Sequence, residues 1–241
     1  MSRDERALSA VPAWVHAVLV AALAVQIGVR LARPGGAPAA SDLPAAPPAA
    51  ALRLASFDEP EAAARLAMLY LQAFDLGGAN RLPYRELDYR RLVGWLRAVL
   101  ELDPRSEYPL FSAARVYAEV PDPQRSRIML EFIYEEFLRD PNRRWPWLAH
   151  ATLIAKHRLH DLPLALRYAK AIDSRVTTPS LPLWAKQMQI FILEDMDELD
   201  AAKIMLGGLL ESGAIRDPNE ARFLEHRLEE LAQRLGGKAV K

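Results

Sequence analysis

The chain has 241 residues, 51% of them apolar or aromatic, and its 31 Lys and Arg residues balance 31 Asp and Glu residues. This balance excludes a bulk electrostatic attraction to nucleic acid, and the absence of cysteine excludes disulfides, thiol catalysis and cysteine-ligated metals. Arginine outnumbers lysine by 25 to 6 and alanine is abundant, which favours a GC-rich coding sequence and a bacterial source.

The first predicted element is an apolar helix. Residues 7–29 contain no acidic or basic side chain apart from His16, and a run of this length is sufficient to cross a bilayer. We expect residues 1–33 to form a tail and a single transmembrane helix that anchors the chain in a bacterial inner membrane. We expect the soluble part to lie in the periplasm, since this orientation is common for short N-terminal tails.

Two further predictions concern the residues that follow. The triplet at 37–39, Ala-Pro-Ala, resembles a signal-peptide cleavage site, so the alternative is a secreted protein released by cleavage. Residues 34–56 hold five prolines and nine alanines, a composition typical of an extended linker. The sequence therefore predicts a separate domain over 57–241.

This domain is predicted to be helical throughout, because no segment alternates apolar and polar residues with a period of two. The first helix is expected to start at 57–61 with Asp58 as its N-cap and to end at Gly77-Gly78. Its predicted apolar stripe repeats at helical spacing through Leu66, Leu69, Tyr70, Ala73 and Phe74. A second helix is predicted over 92–102.

A 37-residue repeat then organises the chain. Asp103-Pro104 returns as Asp140-Pro141, and both pairs predict helix boundaries. Leu110, Trp147 and Trp184 fall in one predicted core row, and Phe132, Ala169 and Leu206 fall in another. Breaks are predicted near 121–123, 161–163 and 195–199. The last segment, from Asp217-Pro218 onward, has the spacing of a capping box and reads as one amphipathic helix.

These hairpins resemble tetratricopeptide repeats, in which a short pattern of apolar and small residues recurs in paired helices. The pattern is seen in the first unit as Leu66, Ala67, Tyr70, Leu92, Leu96, Val99 and Pro104. It is degenerate, because Glu135 or Glu136 stands where the family has a small side chain. The resemblance implies an all-α, right-handed α-solenoid of about four hairpins with a C-terminal capping helix, after the transmembrane helix.

The resemblance also implies that partners bind on a concave face. The positions expected to project there are Arg115, Glu119, Thr152, Lys156 and Gln189, which could hydrogen-bond an extended peptide. A possible ligand patch combines cations with an aromatic ring at Arg143, Arg144 and Trp145. His150, His157 and His160 share a segment, but no carboxylate or cysteine stands at ligand spacing, so we expect no metal site.

These observations predict a membrane-anchored scaffold or adaptor that binds other proteins or peptides, with assembly of a bacterial envelope complex as one role. No catalytic motif, cofactor site or nucleic-acid-binding motif is found. The alternative function is a helical enzyme or small-ligand-binding protein that uses the basic and aromatic region near Trp145.

Overall fold

The computed structural model describes residues 12–32, 42–74, 81–213, 215 and 217–238. The chain divides into two units, Met1–Ala40 and Ser41–Lys241. In the described ranges the secondary-structure elements are all helices and no strand is present. The prediction of an all-α fold is therefore confirmed.

In the first unit, the described residues 12–32 form one helix, α1 (Ala13–Ala32). Among the residues described, no helix is sufficiently long and apolar to span a membrane. The predicted single-pass anchor, and the inner-membrane location that followed from it, are therefore wrong. The uncharged run within α1 extends only from Ala13 to Val29, short of the roughly 20 apolar residues that a crossing helix needs. Residues 7–11 and the triplet at 37–39 lie outside the described ranges.

The second unit begins earlier than the sequence predicts. Leu43 is fully buried, the Trp95 indole donates a 2.8 Å hydrogen bond to the Pro44 carbonyl, and Arg91 donates a 3.0 Å hydrogen bond to the Leu43 carbonyl. A short helix, α2 (Ala49–Ala55), follows. An extended linker over all of 34–56 is therefore wrong for residues 42–56, because these contacts tie them to the helical core; residues 34–41 are outside the described ranges.

Nine further helices follow in the described residues: α3 (Pro60–Gln72), α4 (Tyr89–Leu102), α5 (Tyr108–Ser112), α6 (Pro123–Arg139), α7 (Pro141–His157), α8 (Leu162–Arg175), α9 (Leu183–Asp195), α10 (Leu199–Glu211) and α11 (Pro218–Lys238). The helix α5 continues directly into a π-helical segment, Ala113–Tyr117. The predicted breaks at 121–123, 161–163 and 195–199 are confirmed, as are the boundaries at Asp103-Pro104 and Asp140-Pro141.

Local capping explains several of these starts. The side chains of Asp88, Asp122 and Asp161 accept hydrogen bonds from the first free amides of α4, α6 and α8, which satisfies donors that have no partner within the helix. Asp58 does not do this, so its prediction as an N-cap is wrong. The start of α3 is set instead by Pro60, whose ring fixes a helical φ at the first position and disfavours helical geometry before it.

Side-chain contacts join alternate helices as well as neighbours. Among α3, α5, α7, α9 and α11, contacts run from Gln72 to Tyr108, from Phe111 to Trp147, from Trp145 to Trp184 and from Gln187 to Glu220. Between α4, α6 and α8, Arg97 pairs with Glu135, and the rings of Tyr134 and Tyr168 stack 5.3 Å apart. Below, the term "first helices" means α3, α5, α7, α9 and α11. The term "second helices" means α4, α6, α8 and α10.

The predicted core rows fare differently. Phe132, Ala169 and Leu206 are all buried, as expected. In the other row Leu110 is buried but Trp184 is 50% exposed. The buried residues in α7 and α9 are instead Leu148 and Ala185. Each of them follows the predicted position, Trp147 or Trp184, by one residue. A π-helical turn contains one residue more than an α-helical turn, so the segment after Leu110 accounts for this shift.

Candidate binding surface

The predicted concave row does not form one accessible surface. Arg115 and Glu119 are exposed, but Thr152 is fully buried and its hydroxyl donates a 2.8 Å hydrogen bond to the Leu148 carbonyl. Gln189 is also buried, and Lys156 pairs with Asp195 at 2.6 Å. The prediction is therefore wrong for Thr152 and Gln189, because α7 and α9 each have packed helices on two sides.

The predicted ligand patch is used mainly for internal contacts. The Arg144 guanidinium is buried, lies 2.8 Å from the Glu136 carboxylate and donates to the Glu136 and Pro104 carbonyls. Arg143 donates to the Arg105 carbonyl at 2.7 Å. The half-buried Trp145 ring lies 5.7 Å from that of Trp184. The Arg144 donors therefore hold α6, α7 and the connection before α5 together, whereas the Arg143 contact lies at the exposed surface; the assignment of Arg144 to a ligand is corrected.

The histidines are spread along the end of α7 and the turn after it. His150 Nε2 lies 3.3 Å from a Glu119 carboxylate oxygen, whereas His157 and His160 are exposed. Within the described ranges no three His, Cys, Asp or Glu side chains are grouped so that they could hold a metal ion. In the acidic segment 194–200, Glu194 is buried and pairs with Arg227, so part of this segment also serves packing.

The structure instead reveals an apolar strip on the first helices. On α3, Leu66 is 66% and Leu69 is 59% exposed. On α5, the exposed rings of Tyr108 and Phe111 stack with centroids 6.2 Å apart, and the Phe111 ring meets the Trp147 ring edge to face at 5.8 Å. We define the apolar strip as these five residues.

A cavity of about 420 Å³ lies within this strip, between α3 and the start of α5. It is lined by Ala64, Arg65, Met68, Leu69, Asp103, Ser106 and Tyr108. The Arg65 side chain is mostly exposed and meets only Glu61, at 3.8 Å, among the carboxylates described. The Asp103 carboxylate accepts hydrogen bonds from the amides of Arg105 and Ser106. The cavity therefore combines apolar side chains with one cation, Arg65, and one carboxylate, Asp103.

The sequence contains a signal for this strip in the apolar residues of α3. The buried side chains of α3 are Ala64, Ala67, Met68 and Leu71, whereas Leu66 and Leu69 are exposed. The helix has apolar residues on two faces, and a globular helix needs only one such face for its own core. The second face is the feature that could have identified a binding surface.

No protein-family model matches this chain, and neither a curated protein nor a solved structure matches it.

Proposed function

We propose that residues 41–241 form a right-handed α-solenoid of about four hairpins, similar to tetratricopeptide repeats, with α11 as its capping helix. The alternation of contacts supports this arrangement, because first helices meet first helices and second helices meet second helices, as stacked hairpins require. The 37-residue repeat of boundaries at 103–104 and 140–141 supports it independently.

The proposed function is that of a protein-interaction scaffold or adaptor without enzymatic activity. The observation that carries it is the apolar strip: two leucines of α3 and two rings of α5 lie exposed on successive first helices, and the Phe111 ring meets the half-buried Trp147 ring of α7. A contiguous exposed apolar patch on a folded domain is typical of an interaction site. The predicted polar row over Arg115, Thr152 and Gln189 is replaced by this strip.

The partner we propose is a protein segment with two or more large apolar side chains. One of them enters the 420 Å³ cavity beside Leu69, and a second lies on the rings of Tyr108 and Phe111. Burying one such side chain contributes roughly 1.5–3 kcal/mol. An amphipathic helix presents such side chains at a spacing of three or four residues, which suits a surface built from parallel helix faces.

The test uses the full-length chain and a displayed library of random peptides. We expect selection to enrich peptides with two large apolar residues three or four positions apart. Fluorescence anisotropy with a selected peptide should show a loss of affinity of about tenfold or more for a Leu69→Ser, Phe111→Ser variant.

A matched control replaces exposed apolar residues on the second helices, with Leu138→Ser and Ile204→Ser. Leu138 is 40% exposed and Phe111 is 42% exposed, so the two variants remove comparable surface. The control should bind as the wild type does. Equal losses in both variants, or peptides without apolar residues, would contradict a binding site at the strip.

A further inference from the structure

A second cleft lies along α8, away from the apolar strip. It has a volume of about 480 Å³, and the residues that line it include Tyr134, Leu166, Arg167, Lys170, Arg175 and Met196. The lining therefore joins an apolar wall to three cations and includes no carboxylate. This cleft belongs to the second helices α6 and α8 and to the turn after α9.

The charge bias distinguishes this cleft from other cavities of similar size. The cavity on the strip contains Asp103 beside Arg65. A cavity at the starts of α4 and α6 contains Asp88 and Asp122, and one between α8, α9 and α10 contains Asp173. In each of these three an acid offsets the neighbouring bases, whereas the α8 cleft presents bases alone.

One of its cations is fixed in place. Arg167 donates to both oxygens of the Glu131 carboxylate, at 2.7 and 3.2 Å. Its guanidinium carbon lies 4.2 Å from the centroid of the Tyr134 ring. A bidentate pair combined with stacking on a ring holds an arginine in one geometry. Arg167 and Tyr134 therefore form a rigid floor, and Glu131 offsets much of the charge of this arginine.

The other two cations are available to a ligand. Neither Lys170 nor Arg175 has an ion pair with any carboxylate in the described part of the chain, and both are exposed. Arg175 lies in the last turn of α8, where a cation complements the helix dipole. That effect explains one cation, but it does not explain the second one at Lys170, or the absence of carboxylates from the described lining of the cleft.

We propose that this cleft binds an acidic segment of a protein partner. Carboxylates of the segment pair with Lys170 and Arg175, and an apolar or aromatic side chain lies against Leu166 and Met196. A polyphosphate backbone fits less well, because it has no apolar group to place against the wall formed by Leu166 and Met196, whereas a protein segment can supply one. This second site is independent of the apolar strip and gives the scaffold two faces.

The probes are fluorescein-labelled decapeptides with four glutamates and one phenylalanine, whose position varies across the set. Their binding to the full-length chain is measured by fluorescence anisotropy. We expect at least one peptide to bind, and its affinity to fall as NaCl is raised from 0.05 to 0.5 M. A Lys170→Glu, Arg175→Glu variant should lose about tenfold or more in affinity.

The control carries the same change in net charge at two other exposed positions, Arg158→Glu and Lys203→Glu. It should lose less than about threefold. The Leu69→Ser, Phe111→Ser variant should bind these peptides normally, which separates this proposal from the function of the strip. Circular dichroism and thermal melting check that each variant is folded.

Three results would overturn the proposal. The first is that none of the peptides binds, and the second is that the control loses as much affinity as the cleft variant. The third is that single-stranded DNA of equal charge binds more tightly than the best peptide and competes with it, since the cleft would then be a phosphate site.

Discussion

Two tyrosines, Tyr89 and Tyr168, are buried with hydroxyl groups that have no hydrogen-bond partner among the described residues. Burial is the main cause that raises the pKa of both phenols, and at Tyr168 the Glu131 carboxylate adds to it while Arg167 opposes it. An unpaired buried hydroxyl also costs free energy. Both side chains therefore stabilise the fold through the packing of their rings and not through their hydroxyl groups, as in the stack of Tyr134 on Tyr168.

We expect Tyr168→Phe to leave the free energy of unfolding at pH 7 unchanged or to raise it by up to about 1 kcal/mol. Above pH 10 the wild type should lose stability, because its unfolded tyrosines release protons near their ordinary pKa of 10 while the folded Tyr168 stays protonated. The variant should lose less stability there. Urea unfolding at pH 7, 10 and 11 measures both effects.

A loss of more than about 1 kcal/mol for Tyr168→Phe at pH 7 would mean that the hydroxyl does form a hydrogen bond in the folded protein.

At the scale of elements, a buried ion pair joins α6 to α7. Glu136 is fully buried and contacts Arg144 and Arg139, each at 2.8 Å. Glu136 departs from the repeat pattern, and nothing in the sequence relates it to Arg144. In the structure the two residues form one ion pair. Its formation also brings Arg144 to the Pro104 carbonyl before α5.

We expect Arg144→Met alone to lower the free energy of unfolding by about 3–5 kcal/mol, because the Glu136 carboxylate would lose its buried partner. Adding Glu136→Leu should recover part of this loss, since two apolar side chains leave no buried charge. Denaturant unfolding of the two variants and of the wild type measures the difference.

Arg143→Met removes the neighbouring, exposed guanidinium and should change stability by less than about 0.5 kcal/mol. Our description of the α6–α7 junction would be wrong if this control cost as much as Arg144→Met, or if the double variant were less stable than the single one.

At the scale of the whole molecule, the folded unit starts before α2. Deletion of residues 1–41 should leave its thermal unfolding intact, whereas deletion of 1–56 should lower the melting temperature. The longer deletion removes fully buried Leu43 and the carbonyl of Pro44 that accepts from the Trp95 indole. Loss of a buried leucine costs roughly 2–5 kcal/mol. Calorimetry of the two truncated chains provides the measurement, and identical melting temperatures would refute the boundary at 41.

The sequence by itself determined the helical class, most helix boundaries and the buried row of Phe132, Ala169 and Leu206. These features follow from local physics: proline removes an amide donor and fixes φ, a nearby aspartate caps free amides, and a 3.6-residue period marks a buried face. Such effects act within one or two turns, so they can be read without knowledge of distant residues.

Only the tertiary structure decided which apolar face of α3 is buried, that Thr152 and Gln189 are covered, and that Arg144 pairs with Glu136. It also decided that Leu43 belongs to the core and that the α8 cleft gathers cations from one helix beside Tyr134 and Met196. Each of these outcomes depends on helices that are far apart in the chain but adjacent in space. A helix with two apolar faces satisfies the same local rules in either orientation, and the choice is made by the neighbour that buries more surface.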